Sequence, residues 1–130
     1  MRNWKEKDLF HWLVQNHYAD LVKAKSPVSK WDCYSPVSYH RIELKCRKKH
    51  YSEGLMIERI KYESILRKCD DNLDIPIYIN STPKGIFRFN LYMVEPEWFL
   101  KRLPRTTEFN RRDWIDKEVA MLDVVDAEIL

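Results

Sequence analysis

The chain has 130 residues, of which 45% are hydrophobic and 13% aromatic, and its net charge is +3. This composition excludes a disordered chain, and no apolar run reaches the ~20 residues that a membrane-spanning helix needs. No Gly/Ser-rich linker divides the sequence and no signal-peptide core begins it, which predicts a single domain over residues 1–130 that acts in the cytoplasm without a membrane partner.

The first half of the chain predicts two helices with a pair of strands between them. A helix is expected over residues 5–24, because apolar side chains recur there at intervals of three and four. Strands are expected over 29–35 and 38–47, and a second helix over 54–69. A further short strand within 26–31 stays open.

The second half predicts another pair of strands followed by helical segments. The expected elements are strands over 75–79 and 86–93 joined by a turn at Pro83-Lys84-Gly85, a short helical segment over 96–103, a basic connection over 104–112, and an amphipathic helix over 113–130. The order α-β-β-α-β-β-α predicts an α/β (α+β) fold in which helices flank a small mixed β-sheet.

Three charged residues fall on the first pair of predicted strands. Asp32 lies on one strand, and Glu43 and Lys45 lie on the next. Because side chains alternate along a strand, Glu43 and Lys45 share one face, and Asp32 is expected to point away from both Trp31 and Cys33. If the strands pair, the two carboxylates converge on one hard cation such as Mg²⁺. A ladder of surface salt bridges between the strands is the alternative explanation.

This arrangement resembles the PD-(D/E)XK nuclease superfamily, and within it the short phage-encoded nucleases of similar length. The specific part lies in residues 31–63: Trp31-Asp32, then Glu43-Leu44-Lys45, a basic stretch, and a helix containing Ile57-Glu-Arg-Ile-Lys-Tyr62. The predicted element order also matches the restriction-endonuclease-like core of that superfamily. The chain departs from the motif in one place, since Trp31 stands where the motif has Pro.

The resemblance implies a role for each motif residue. Asp32 and Glu43, with the carbonyl of Leu44, would hold a divalent metal, Mg²⁺ or Mn²⁺. Lys45 would orient or help to activate the attacking water.

The resemblance also brings two residues outside the motif into the predicted site. Glu6 corresponds to a first-helix glutamate that contributes to metal or water binding in relatives, although acids are common in first turns. Lys61 corresponds to a polar residue on the helix after the motif strand, although helix lysines usually face solvent.

The distribution of charge favours a nucleic-acid partner. Residues 113–130 carry six acids and one lysine, which leaves a net +8 on residues 1–112. Five basic residues around the motif are expected to bind the DNA backbone with little sequence preference: Arg41, Arg47, Lys48, Lys49 and Lys61. Solvated basic faces without a ligand are the alternative.

These observations predict a divalent-metal-dependent deoxyribonuclease with little sequence specificity, acting on single-stranded, double-stranded or branched DNA. A Holliday-junction-type resolvase and a catalytically silent nucleic-acid-binding subunit are the two alternatives. A resolvase needs two active sites, so a homodimer is expected in that case, with the predicted C-terminal helix as one candidate interface. For a phage-encoded protein, the cytoplasm would be that of the host.

Other kinds of site are disfavoured. The three cysteines, Cys33, Cys46 and Cys69, fit no compact zinc knuckle, and their thiols are expected to pack in the core. With only Gly54 and Gly85 the chain has no glycine-rich phosphate loop, and no recognisable nucleophile elbow is present.

Overall fold

A six-stranded mixed sheet carries both motif strands in the computed structural model of the chain. The structure describes residues 3–26, 31–50, 52, 54–105 and 113–130. Within those ranges the elements, in chain order, are α1 (Glu6–Asn16), β1 (Val22–Lys23), β2 (Cys33–Ser35), β3 (His40–Cys46), β4 (Leu55–Glu58), α2 (Arg59–Asn72), β5 (Ile75–Thr82), β6 (Gly85–Asn90), β7 (Phe99–Pro104), β8 (Trp114–Leu122), a 3-10 turn (Val124–Asp126) and β9 (Glu128–Ile129).

The described strands form two sheets. The larger has the order β1-β2-β3-β5-β6-β9 and the smaller the order β4-β8-β7. β3 and β5 pair in parallel, from His40↔Ile75 to Cys46↔Ser81, whereas the other pairs are antiparallel. A parallel pair needs a crossover connection, which β4 and α2 supply. The predicted fold class, a small mixed sheet with flanking helices, is confirmed.

The core lies on both faces of the larger sheet, because side chains alternate along its central strands. On one face, Ile42, Leu44, Ile77 and Ile79 pack against α1. On the other face, Tyr78, Phe87 and Phe89 pack against α2 and the smaller sheet. Burial on both sides explains why β5 reads as a nearly continuous apolar run.

α1 ends well before the predicted position. The helix covers Glu6–Asn16 and not 5–24, and β1 follows at Val22–Lys23. The carboxylate of Asp20 accepts hydrogen bonds from the Val37 backbone N–H at 2.8 Å and from the Ser35 hydroxyl at 3.0 Å. These bonds hold the chain after the helix against the turn between β2 and β3. Of the segment 26–31, in which a strand stayed open, residues 27–30 lie outside the described part of the chain.

The second helix also begins later than predicted. It covers Arg59–Asn72 and not 54–69, since Leu55–Glu58 forms β4, which pairs with β8. Leu55 and Ile57 are buried, as expected for one face of a strand. Gly54 precedes β4 with φ +113°, and a Cβ there would collide with the carbonyl oxygen of Leu122.

The predicted helices over 96–103 and 113–130 are wrong. Residues 99–104 form β7 and residues 114–122 form β8, which pair antiparallel from Phe99↔Val119 to Pro104↔Trp114. Pairing of β8 with both β4 and β7 outweighs the helix propensity of its Lys, Glu, Ala, Met and Leu residues. Of the predicted basic connection, residues 106–112 lie outside the described ranges.

Neither described helix combines the length and the apolar character needed to cross a bilayer.

Candidate active site

Asp32 is fixed at the start of β2 by its own backbone and by its side chain. Its N–H donates to the Ile42 carbonyl at 2.8 Å, and its carbonyl accepts from the N–H of Ala24 at 2.8 Å. Its carboxylate accepts a hydrogen bond from the Leu44 N–H at 2.7 Å. The carboxylate is therefore held beside β3, next to the residue that follows Glu43.

The alternation predicted around Asp32 is wrong in one respect. Cys33 packs in the cluster against α1, whereas Trp31 packs against the cluster on the opposite face of the sheet. Trp31 and Cys33 therefore do not share a face. The physical reason is that β2 begins only at Cys33, so residues 31 and 32 form a bend in which strand alternation does not apply.

Glu43 lies on β3 with only 14% of its side chain exposed, and it forms an ion pair with Lys61 at 3.3 Å. Burial raises the pKa of Glu43 to about 7, and the negative charge of Asp32 adds to this increase, while Lys61 opposes it. Two carboxylates thus share a poorly solvated space that favours only one negative charge. A divalent cation there would remove both the repulsion and the desolvation cost.

Lys61 and Lys45 occupy different positions around this pair. Burial alone would lower the pKa of Lys61, but attraction to Glu43 and their hydrogen bond outweigh it, so the pKa is raised. Lys45 forms no ion pair with any described residue, and burial followed by the charges of Arg47 and Lys61 lowers its pKa. The ammonium that neutralises Glu43 is therefore that of Lys61, not that of the motif lysine.

Glu6 reaches the same region from the first turn of α1. It lines a cleft of about 460 Å³ together with Asp32 and Leu44. Its negative charge contributes to the raised pKa of Glu43 and opposes the lowering of the Lys45 pKa. The structure thus brings Glu6, Asp32, Glu43, Lys45 and Lys61 into one electrostatic neighbourhood, while the catalytic roles assigned to them stay predictions.

Two of the predicted DNA-binding residues direct their guanidinium groups into the protein. Arg41 forms an ion pair with the buried Asp74 at 2.6 Å and lies over the rings of Trp31 and Tyr34. This contact holds the start of β3 to the residue before β5.

Arg47 donates hydrogen bonds to the side-chain oxygen of Asn80 at 2.9 Å, to the Tyr78 hydroxyl at 3.0 Å and to the Met56 carbonyl at 2.5 Å. It therefore joins β4 to the larger sheet. Lys48 and Lys49, by contrast, are exposed in the turn after β3. Binding of the DNA backbone by all five predicted residues stays a prediction, and the exposed Lys48 and Lys49 are more available for it than Arg41 and Arg47.

The sequence reasoning missed Glu58, the last residue of β4. Its carboxylate forms an ion pair with Lys117 of β8 at 3.0 Å, and about four fifths of both side chains is buried. Glu58 also opposes the lowering of the Lys45 pKa and helps to raise that of Lys61. Only recognition of 55–58 as a strand would have indicated this residue, since the position reads as an ordinary surface residue on a helix.

The carboxylate oxygens of Asp32 and Glu43 suit a hard divalent metal that takes only a few of its ligands from the protein. Within the described residues no group of three or more His, Cys, Asp or Glu side chains could hold a metal, and Asp32 and Glu43 form a pair of carboxylates only. Mg²⁺ and Mn²⁺ suit such a pair, because water and phosphate oxygens complete their coordination. The thiols of Cys33 and Cys69 are buried in the two separate core clusters, as core packing predicted.

No protein-family model matches the sequence, and no curated protein matches it significantly. Among solved structures the chain is similar to Hjc, a Holliday junction resolvase from the archaeal hyperthermophile Archaeoglobus fulgidus. The TM-score is 0.59 at 16% sequence identity, and the match covers 96% of this chain and 88% of that chain. This similarity establishes that the chain has a resolvase-type, restriction-endonuclease-like fold.

Proposed function

We propose that the chain is a divalent-metal-dependent deoxyribonuclease of the PD-(D/E)XK superfamily that cleaves branched DNA. The observation that best supports a nuclease is the carboxylate pair of Asp32 and the mostly buried Glu43, together with the raised pKa of Glu43. Acids with a pKa raised in this way are concentrated at functional sites. A ladder of surface salt bridges does not account for them, because Glu43 is mostly buried and adjoins another acid.

The fold supports a branched substrate more than a nonspecific one. The similar structure is that of a Holliday junction resolvase, and the match extends over 96% of this chain. The sequence predicted a nuclease of little specificity, with a Holliday-junction-type resolvase as an alternative. Fold alone does not determine substrate, so the preference for branches is tested separately from cleavage.

Each residue of the site has a definite task in this proposal. Asp32 and Glu43 would hold Mg²⁺ or Mn²⁺, with the Leu44 carbonyl as a further ligand. The bound metal supplies charge neutralisation at phosphate and a water of lowered pKa. Lys45, with no ion-pair partner among the described residues, would position the attacking water or stabilise the negative charge that develops on the phosphate. Lys61 opposes the rise in the pKa of Glu43 when the metal is absent.

The decisive experiment measures cleavage of four-way junction, linear duplex, supercoiled and single-stranded DNA with Mg²⁺, Mn²⁺ or EDTA. Asp32→Asn and Glu43→Gln should abolish cleavage while the fold and DNA binding remain, because both changes preserve side-chain size. Glu95→Gln is the matched control, since Glu95 is exposed and lines no part of the cleft. Cleavage that survives EDTA, or a fully active Glu43→Gln variant, would refute the metal site.

The two lysines can be distinguished by the pH dependence of cleavage. Lys45→Met should lower the rate at every pH. Lys61→Met should instead move the acidic limb of the profile to higher pH, because the pKa of Glu43 rises further when its ion-pair partner is lost. Equal loss at every pH in both variants would contradict this division of roles.

The same series separates the remaining alternatives. Equal rates on linear and branched DNA would favour the nonspecific nuclease, and binding without cleavage under any metal would favour the silent subunit. A resolvase must incise two strands and so needs two sites, which predicts a homodimer. Light scattering after gel filtration measures this directly. The predicted C-terminal helix cannot supply the interface, because residues 114–122 form β8.

A further inference from the structure

The cleft that contains Asp32 also carries lysines that no part of the proposed site uses. Lys7 of α1, Lys23 of β1 and Lys25 all line the cleft of about 460 Å³. All three side chains are exposed. The cleft therefore presents three ammonium groups and two carboxylates, those of Glu6 and Asp32, on one surface.

The backbone fixes these lysines relative to the carboxylates. Lys23 pairs with Cys33 in the register of β1 and β2, and Ala24 donates its N–H to the Asp32 carbonyl at 2.8 Å. The segment that carries Lys23 and Lys25 is thus bonded directly to the residue expected to hold metal. The two lysines cannot separate from Asp32 without breaking the edge of the sheet.

Lys23 also contacts the aromatic ring of Phe10. The ammonium of Lys23 lies 5.0 Å from the centroid of the Phe10 ring, and Phe10 itself lines the cleft. This cation–π contact reduces the freedom of a side chain that would otherwise be fully mobile, while the ammonium stays accessible to an anion. Such partial ordering lowers the entropic cost of binding a phosphate.

We infer that the cleft is the binding groove for the sugar-phosphate backbone of the cleaved DNA strand, with Lys7, Lys23 and Lys25 contacting phosphates next to the scissile one. This inference rests on the proposed function and adds the path of the substrate. Phosphates beside a metal-bound phosphate need counter-charge, and three lysines anchored around Asp32 supply it.

This path differs from the one that the sequence indicated, which follows Arg47, Lys48 and Lys49. The Arg47 guanidinium already donates three hydrogen bonds inside the protein, so that segment offers only two exposed charges. The cleft offers three on elements tied to Asp32. Both surfaces are basic. The loss of DNA affinity when the lysines of each surface are removed therefore shows which one the DNA follows.

The test compares three sets of alanine substitutions for binding to a labelled four-way junction in EDTA, over a range of salt concentrations. The sets are Lys7/Lys23/Lys25 in the cleft, Lys48/Lys49 in the loop, and Lys68/Lys84/Lys101 as a control of equal charge whose exposed lysines do not line the cleft. The cleft set should weaken binding at least tenfold and reduce the log-affinity against log-salt slope by about 2 to 3, since each phosphate contact contributes about 0.9.

Two further measurements keep the result interpretable. Arginines in place of the three cleft lysines should restore the slope, because charge and not the amine is required. Acylation of amines with a labelling reagent, quantified by mass spectrometry, should show that bound DNA protects Lys7, Lys23 and Lys25 and leaves the control lysines reactive. Circular dichroism verifies that each variant is folded.

The outcomes separate this inference from the proposed function. If the wild-type protein cleaves DNA but the cleft variant shows an unchanged salt dependence of binding, the inference about the cleft is refuted and the proposed nuclease activity stands. A larger effect from the loop or the control set would also overturn it. If the protein binds DNA through the cleft lysines but never cleaves it, the proposed nuclease activity is refuted and the inference about the binding groove stands. Protein that does not bind DNA at all would overturn both.

Discussion

Replacing Glu43 with glutamine should stabilise the metal-free protein, and the gain should grow as the pH rises. In the folded state Glu43 keeps its proton up to a pKa of about 7, whereas its ordinary value is 4.5. Between these values the folded protein binds more protons than the unfolded chain, so stability falls with increasing pH. The loss of folding stability caused by ionising the buried Glu43 is absent below pH 4.5 and complete above pH 7. Glutamine cannot ionise and does not incur it.

The size of the effect follows from the pKa. The rise from 4.5 to about 7 corresponds to about 3 kcal/mol at ~1.4 kcal/mol per unit. For a chain of 130 residues this is a difference of about 10 °C in melting temperature between the two proteins. The attraction to Lys61 is already included in this pKa, and the oxygen of glutamine can still accept a hydrogen bond from the Lys61 ammonium.

The assay is urea denaturation of wild type and Glu43→Gln at half-unit intervals from pH 4.5 to 8.5, in EDTA. The stability difference should rise by about 3 kcal/mol as the pH passes through the interval between 4.5 and about 7, and it should be constant at the upper end of the range. Glu95→Gln, at an exposed position, should show no comparable rise. A difference that does not vary with pH would refute the claim that Glu43 is held in a poorly solvated, doubly acidic space.

Three other consequences follow from the geometry. Mn²⁺ affinity, measured by electron paramagnetic resonance, should increase about tenfold per pH unit below pH 7 and level off above it, because Glu43 must lose its proton to bind metal. Arg47→Met should lower the free energy of unfolding by about 2–4 kcal/mol in urea, since the buried side-chain oxygen of Asn80 loses its donor. Gly54→Ala should lower it by at least ~2 kcal/mol, because φ is +113° and the added Cβ would meet the Leu122 carbonyl.

Each of the two stability changes has a matched control. Lys48→Met, next to Arg47 but exposed, should alter stability by less than ~0.5 kcal/mol. Gly85→Ala also has a positive φ, +142°, but its Cβ would make only ordinary contacts, so it should cost clearly less than Gly54→Ala. Equal losses within either pair would contradict the contacts described for Arg47 and Gly54. Metal affinity independent of pH would remove Glu43 from the ligand set.

The sequence by itself determined the part of the fold in which local pattern and burial agree. Alternating side chains located the strands around Glu43 and the hairpin of β5 and β6, because each strand has one face against α1 and the other towards α2. The same alternation placed Glu43 on a strand beside the segment that carries Asp32, although Asp32 itself lies in the bend before β2. A period of two follows from backbone geometry alone, so it can be recognised without knowledge of the partners.

The tertiary structure decided which elements formed where propensity and pairing disagree. Residues 55–58 and 114–122 contain good helix formers, yet they pair with each other as β4 and β8. Strand pairing is a nonlocal interaction, and its contribution does not appear in the local pattern of either segment. Glu58 stayed hidden for the same reason.

Side-chain partners were decided at the same level. The alternation of side chains along the strand placed Lys45 and Arg47 on the face of Glu43. It cannot tell which of the charged side chains form ion pairs with one another. Lys61, 18 positions away in the sequence, neutralises Glu43, and Arg47 instead bonds to Asn80 and Tyr78. Contacts between elements depend on crossing geometry and side-chain reach, which a single sequence does not encode locally. The two carboxylates are therefore predictable from the chain, whereas the cations around them required the fold.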